Sequence, residues 1–276
     1  IRQSPSSSPH ISATPHYWIY VILFFFGFGL YANTINHDYA YDDVSVILQN
    51  KYTQMGIKGL PVLFTKAYWY GFRGDNYGTY RPLSLITFAL EHEFIGDNPH
   101  VSHFINVLLN GCTVLVLFIV LCRLFNLLNG YAHKPKILLP FLITLLYAAH
   151  PVHTEVVANI KSRDEIMCFL FFLMSLLFLL DCLFDKNISE KNYKKIIYIA
   201  LAALFYYLSI ISKETAVTFV AVIPLTLYFF TKLDWKKITG VSLVYLTVTG
   251  IYFLMRLHFL DSFAEGQNLA PIDNTI

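Results

Sequence analysis

Seven runs of apolar residues constrain the fold of this 276-residue chain more than any other feature. A helix that crosses the hydrocarbon core of a bilayer takes about 20 apolar residues, and each run has that length or nearly so. Charged residues make up 14% of the chain and hydrophobic residues 56%. The usual charged share is about 25%, so these values exclude a soluble globular enzyme, a disordered chain and a disulfide scaffold. The runs lie at about 17–33, 101–125, 137–150, 166–183, 195–212, 215–231 and 238–259.

We therefore predict an all-α membrane protein, a bundle of about seven transmembrane helices over residues 17–259. A Ser/Pro-containing lead, 1–16, precedes it, and 260–276 begin a further outer loop. Because the chain starts at Ile1 and stops at Ile276 in a polar stretch, we expect a longer protein, with another domain or subunit beyond Ile276.

Loop one, residues 34–100, is the longest connection and is expected to contain helices of its own. Residues 56–71 alternate apolar, basic and aromatic groups, a pattern that predicts an interfacial helix lying on the bilayer. Pro82 is at a tolerated first-turn position and opens a second helical run to about Phe94.

Basic residues predict which ends of the helices face the cytoplasm. With a cytoplasmic N-terminus, the inner connections carry ten Lys and Arg residues and the short outer connections carry four. The positive-inside rule favours this orientation, which places loop one in the periplasm or the lumen of the endoplasmic reticulum. The formal net charge of +2 gives no case for a nucleic-acid partner.

An acidic pair, Asp42 and Asp43, follows the first span closely. Adjacent carboxylates near an apolar surface repel each other and lose solvation, which raises the pKa of at least one of them. Such a carboxylate suits a general base that takes a proton from an acceptor hydroxyl. The alternative is a solvated turn, or an N-cap for a helix that starts at Val44.

A second polar cluster runs from His150 to Glu165 and predicts a helix over 152–165. On that helix Glu155, Asn159 and Ser162 form a stripe that faces a water-filled cavity. Ordinary capping is the alternative. A divalent metal on His150, His153 and Glu155 is a weaker one, because their spacing is not that of the usual ligand pair.

The third cluster, Ser212 to Thr215, lies in a tight hairpin between two spans. The Lys213–Glu214 pair in it either neutralises itself or offers a cation to a lipid phosphate. Arg163 is a second candidate for that phosphate, and Arg256 either contacts it or extends to the interface. Arg81 with Tyr80 is expected to hold loop one onto the core, and packing alone is the alternative.

These motifs resemble a known family. The chain is similar to the transmembrane O-mannosyltransferases with tetratricopeptide repeats and to their bacterial relatives. The resemblance rests on the acidic pair, followed by YRPL at 80–83, HPxHTExVxxIxxRxE at 150–165 and SKE at 212–214. More broadly the chain resembles the GT-C glycosyltransferases. The resemblance implies an inverting enzyme that uses a polyprenyl-phosphate sugar and a protein hydroxyl. It maps the catalytic carboxylate onto Asp42 or Asp43, and a second acidic motif onto Asp164 and Glu165.

The expected function is transfer of a mannose-like sugar from a lipid-linked donor to an acceptor protein on the outer face. The expected supporting residues are Arg81, His150, His153, Glu155, Asp164, Glu165 and Glu214. A membrane scaffold or carrier subunit with the same fold is the alternative. A transporter fits less well, because transporters place ionisable groups near the midplane and here nearly all lie at helix ends.

Overall fold

A computed structural model describes residues 17–128 and 137–260 of the protein. Helix is the only regular secondary structure in these ranges. Eight helices have ten or more residues: α1 (Tyr17–Gly29), α2 (Pro82–Ile95), α3 (Pro99–Leu128), α4 (Leu138–Ala149), α5 (Arg163–Phe184), α6 (Asn192–Ser212), α7 (Phe219–Phe230) and α8 (Trp235–Phe259). The all-α class is as predicted. The lead 1–16 and the outer segment from 261 onward lie outside the described residues.

Among the described residues, four helices are long and apolar enough to cross a membrane: α3, α5, α6 and α8. The apolar helices at Tyr17–Gly29, Leu138–Ala149 and Glu214–Phe230 are shorter. All seven apolar runs therefore form helices, and the prediction of an all-α membrane protein is confirmed.

The α5–α6 hairpin is the centre of the bundle. In the apolar window of α5, 61% of the residues are buried, against 22% in α8 at the periphery. Ser175 and Ser209 donate their hydroxyls across the hairpin, to the carbonyls of Ala202 at 2.7 Å and Cys168 at 2.6 Å. Since lipid offers no hydrogen-bond partner, such polar contacts between helices hold a membrane bundle together.

α1 packs closely on α3 because two glycines face the contact. A Cβ atom on Gly27 would lie 2.7 Å from Val114, and one on Gly111 would lie 3.1 Å from the ring of Phe24. The amide of Asn110 donates to the Gly27 carbonyl at 2.9 Å. Small residues of this kind let two helix backbones approach each other.

Loop one folds into a cap on α2, and the single interfacial helix predicted over 56–71 is wrong. Helices at Thr53–Gly59, Leu60–Thr65 and Tyr70–Arg73 cover this stretch, with extended backbone at Lys66 between the last two. The reason is packing: Leu63 and Tyr68 turn inward onto α2 instead of outward to the bilayer. The second predicted run is confirmed as α2.

The helix predicted over 152–165 is also interrupted. A short helix, His153–Ala158, ends at Asn159, whose backbone is extended (φ −100°, ψ 116°), and a 3₁₀ turn leads into α5. The amide of Asn106 donates to the carbonyls of Asn159 and Ile160 at 3.2 and 3.3 Å, which satisfies carbonyls that the break leaves without helical partners. The stripe of Glu155, Asn159 and Ser162 therefore does not form on one helix.

Arg163, the first residue of α5, joins three helices at one end of the bundle. Its side chain is completely buried and forms an ion pair with Glu91 of α2. Its guanidinium also donates to Asn106 at 2.7 Å and to the Ser102 carbonyl at 3.0 Å, both on α3. A buried ion pair is tolerated when further hydrogen bonds complete its geometry, as they do here.

The connections predicted to share the outer side meet at this same end. The backbone N–H of Lys161 donates to Asp43, Arg81 contacts Glu214, and the guanidinium of Arg256 donates to the Gly78 carbonyl at 2.9 Å. Which side of the membrane this end faces stays a prediction.

Breaking the interior ion pair should destabilise the protein strongly. Arg163→Met leaves the Glu91 carboxylate buried without a counter-charge, which costs on the order of 3–5 kcal/mol. The matched control is Arg123→Met, because the Arg123–Asp181 pair is partly solvent-exposed and contributes about 0–1 kcal/mol. Thermal unfolding of both variants in detergent tests this. Equal losses would show that Arg163 is not the central contact.

Orientation can be tested at two exposed positions. A membrane-impermeant maleimide on the cytoplasmic side should label Asn187→Cys and leave Gln49→Cys unlabelled until the membrane is permeabilised, because the basic residues place 184–194 inside. The parent protein, whose four cysteines lie in apolar runs, is the blank. The reverse labelling pattern would invert the topology.

Candidate active site

The site is built on a tight turn, Ala40 to Asp43, just before the helix Val44–Leu48. The Asp43 carboxylate accepts from the Ala40 N–H at 3.1 Å, and the Asp43 N–H donates back to the Ala40 carbonyl at 3.0 Å. Tyr41 has a φ of 46°, which is uncommon for a residue with a side chain and costs backbone strain. The surrounding contacts hold this strained turn in place.

Asp43 fastens the turn to the entry of α5. It is 1% exposed, and its second carboxylate oxygen accepts from the Lys161 N–H at 2.7 Å. Burial raises the pKa of Asp43, and the N–H groups of Ala40 and Lys161 act in the opposite direction. Both oxygens are thus engaged by backbone, so this carboxylate fixes geometry.

Asp42 has the opposite environment. Its side chain is 54% exposed, and the nearest cation, the Lys161 ammonium, lies 3.8 Å away. The sequence does not distinguish the two acids, whereas the structure does. Asp42 is the carboxylate of the pair that an incoming molecule can reach.

Arg81 links loop one to two spans. Its guanidinium binds both carboxylate oxygens of Glu214, at 2.8 and 2.9 Å, and one oxygen of Asp164 at 2.9 Å. It also lies over the ring of Tyr68, 5.7 Å from the centroid. Burial alone would lower the pKa of Arg81, but the hydrogen bonds and charges of Glu214 and Asp164 raise it. Its two acidic partners hold this cation in place.

The basic residues expected at a lipid phosphate have different surroundings. Arg163 is not open to a ligand, because Glu91 and α3 enclose it, and a phosphate would have to displace Glu91. Lys213 pairs with Glu165, whose side chain is 41% exposed. The predicted Lys213–Glu214 pair is wrong, because Arg81 takes Glu214. Arg256 is half-buried on the Gly78 carbonyl.

The histidines of the second cluster, His150 and His153, are neighbours in the structure. His150 and Glu155 are exposed, and the rings of His150 and His153 are 6.2 Å apart. Burial, and then the nearby His150, lower the pKa of His153, which packs on Tyr147. In residues 17–128 and 137–260, no group of three or more His, Cys, Asp or Glu residues is arranged to hold a metal ion.

A cavity of about 370 Å³ opens beside the Lys213–Glu165 pair. Its polar wall is formed by Asn110, Thr113, His153 and Glu165. The remainder is apolar or aromatic: Tyr147, Val152, Val156, Val157, Ile166 and Phe169. The cavity thus combines an apolar body with an ionisable rim.

Sequence reasoning missed Glu91 and the contacts of Lys161. Glu91 has a signal that could have found it, since an acidic residue in a helix that carries Leu85, Phe88 and Ala89 on its buried side needs a partner. Lys161 has no such signal in the sequence. Its N–H is available to Asp43 only because the helix breaks at Asn159.

Comparisons with known proteins find relatives among the protein O-mannosyl-transferases. The chain is 28% identical over 214 residues to protein O-mannosyl-transferase TMTC4 of Mus musculus, a match that covers 75% of the chain and 29% of that protein. It is 31% identical over 223 residues to protein O-mannosyl-transferase TMTC2 of Mus musculus, a match that covers 77% of the chain and 24% of that protein. It is also 31% identical over 226 residues to protein O-mannosyl-transferase tmtc2 of Xenopus laevis, a match that covers 78% of the chain and 24% of that protein.

No protein-family model matches the chain, and no solved structure matches it significantly. The matches span only about a quarter of the length of these curated relatives. Over three-quarters of its own length, however, similarity to TMTC proteins recurs in several vertebrates. The chain is therefore related to the TMTC protein O-mannosyl-transferases, as the resemblance of its motifs predicts.

Proposed function

We propose that the protein is an integral membrane glycosyltransferase that moves a mannose-like sugar from a polyprenyl-phosphate donor to a protein hydroxyl. The observation that carries the proposal is an exposed carboxylate, Asp42, held beside a buried one, Asp43, where loop one meets the entry of α5. The names of the relatives, protein O-mannosyl-transferases, support the same chemistry.

In this proposal Asp42 is the general base. It takes the proton of the acceptor hydroxyl while that oxygen attacks the anomeric carbon of the sugar. The bond between the anomeric carbon and the phosphate oxygen breaks on the opposite face, and the phosphate leaves with the electron pair. The configuration at the anomeric carbon inverts. Asp43 positions the turn, and the Lys161 ammonium orients the Asp42 carboxylate.

The donor is proposed to enter from the bilayer through the cavity between α3, α4 and α5. Its apolar wall, including Val156, Ile166 and Phe169, suits an isoprenoid chain. The cavity rim at Glu165 borders Lys213, which is placed to offset the charge of the leaving phosphate once it separates from Glu165. Arg163 takes no part, because it is already enclosed.

Replacing the proposed base should slow turnover without weakening donor binding. Asp42→Asn keeps size and hydrogen bonding but removes the base, so kcat should fall by roughly 100-fold or more, with donor binding kept. Asp43→Asn loses an acceptor for one backbone N–H, which costs about 1–3 kcal/mol of stability. Its rate per folded molecule should fall much less. The assay uses the purified full-length protein, a lipid-linked mannose and a hydroxyl-bearing peptide, with and without EDTA.

The same assay separates the competing interpretations. If Asp43→Asn is inactive and Asp42→Asn is active, the two roles are reversed. If both variants keep the full rate, the acidic pair is only a turn, and the base belongs among Glu155, Asp164 and Glu165. A parent protein with no turnover on any lipid-linked sugar would favour a scaffold. If the parent protein loses its turnover in EDTA, the enzyme needs a divalent metal ion, as the alternative interpretation of His150, His153 and Glu155 predicts.

Lys213 can be tested by donor binding alone. Lys213→Gln should weaken binding of a polyprenyl-phosphate sugar by roughly 10-fold or more, because it removes one charge-assisted contact. Arg123→Gln, at the opposite end of the bundle, is the matched control for loss of one positive charge. Equal donor affinity in the two variants would place the phosphate elsewhere.

A further inference from the structure

Loop one carries a basic and aromatic surface that the proposed chemistry does not use. From Val44 to Gly74 the sequence has four Lys or Arg residues and neither Asp nor Glu. Three of these cations lie over aromatic rings: Lys51 over Tyr52 at 5.7 Å, Lys66 over Tyr70 at 5.3 Å and Arg73 over Trp69 at 4.9 Å from the ring centroid. We call these six residues the basic strip.

The strip is one continuous surface, although its residues come from separate turns and from the short helix Tyr70–Arg73. The rings of Tyr52 and Tyr70 stack with centroids 5.7 Å apart and planes inclined by 8°. The N–H of Lys51 donates to the Gly71 carbonyl at 3.1 Å, which brings the two segments together. A cation over a ring keeps its N–H donors available on the side away from the ring.

The positive charge of the strip is not neutralised by its neighbours. In the part of the chain that the structure describes, Lys51, Lys66 and Arg73 form no ion pair. The acids that contact this part of loop one bind other groups. Glu93 accepts from the Ile57 N–H and Asp97 from the Gln54 amide, both at 3.0 Å. The cations are therefore free to meet an external anionic partner.

The strip adjoins the turn that presents Asp42. Only the helix Val44–Leu48 and two residues after it separate Asp43 from Lys51. On the other side, Tyr68 precedes Trp69 and lies under Arg81. A polypeptide that presents a hydroxyl to Asp42 and continues along loop one would meet these cations.

We propose that the basic strip docks acidic side chains that flank the hydroxyl of the acceptor polypeptide. This inference rests on the proposed function and adds a preference for acidic acceptors. A bilayer surface fits less well, because Tyr52, Trp69 and Tyr70 are half-buried, whereas surfaces that insert into lipid present their aromatic side chains outward. Opposite charges across such a contact set partner choice and the rate of encounter.

Binding is measured on the purified full-length protein in neutral-lipid nanodiscs, by fluorescence anisotropy of three labelled peptides. Each has one Ser, flanked by Asp and Glu, by Asn and Gln, or by Lys. The acidic peptide should bind roughly 10-fold more tightly than the neutral one, with the difference shrinking at high salt. Lys51→Gln/Lys66→Gln/Arg73→Gln should remove that preference.

Two variants control for charge and folding. Lys232→Gln/Lys236→Gln/Lys237→Gln removes three exposed charges near the start of α8, at the far end of the bundle, and should keep the preference. Lys51→Arg/Lys66→Arg keeps the charge of the strip and should also keep it. Loss of the preference in either control would overturn the proposal.

The remaining outcomes separate this proposal from the proposed function. Equal affinity of the parent for acidic and neutral peptides overturns acidic docking, whether or not the protein transfers sugar. A parent that prefers the acidic peptide but shows no turnover supports docking and removes the transferase. If anionic lipid in the nanodisc binds through the three strip cations while peptide affinity is unchanged in the triple variant, the strip is a lipid surface and the proposal is wrong.

Discussion

The buried ion pair between Arg163 and Glu91 is the contact on which one end of the bundle, where loop one packs on the spans, depends. Two charges removed from water are costly unless each finds its counter-charge and its hydrogen bonds. Arg163 finds them on two helices at once, with Glu91 on α2 and with Asn106 and the Ser102 carbonyl on α3. Any displacement of loop one relative to the spans would leave a charge unpaired, so the pair fixes their relative positions.

Two further contacts use that fixed end to place the candidate site. Asp43 binds the backbone of Lys161 directly before α5, and Arg81 binds Asp164 and Glu214 on two other segments. Asp43 and Asp164 are buried in these contacts, whereas Glu214 is partly exposed. The consequence is that Asp42 stands exposed on a turn whose own backbone is strained at Tyr41. A strained turn persists only where surrounding contacts over-determine it.

Charge is distributed unequally over this end of the bundle. Around Arg81, Lys213 and Arg163 each cation has a carboxylate partner, so this region is internally neutralised. On the basic strip the cations face aromatic rings instead. An internally paired region keeps its geometry without a ligand, whereas an unpaired basic surface attracts one. The two regions therefore suit different tasks, positioning of the chemistry and recognition of a partner.

The sequence alone determined the helices, since lipid leaves a long apolar run no other way to satisfy its backbone. It also located the polar clusters at helix ends, because ionisable residues in apolar runs are rare enough to stand out. It failed where packing overrode local pattern: residues 56–71 turn inward at Leu63 and Tyr68, and the helix before α5 breaks at Asn159. Only the tertiary structure decided that Asp43 is buried and Asp42 exposed, and that Arg163 is enclosed. The reason is that adjacent residues share a sequence environment but differ in which distant segments pack against them. Here the Lys161 N–H reaches Asp43, and Glu91 encloses Arg163.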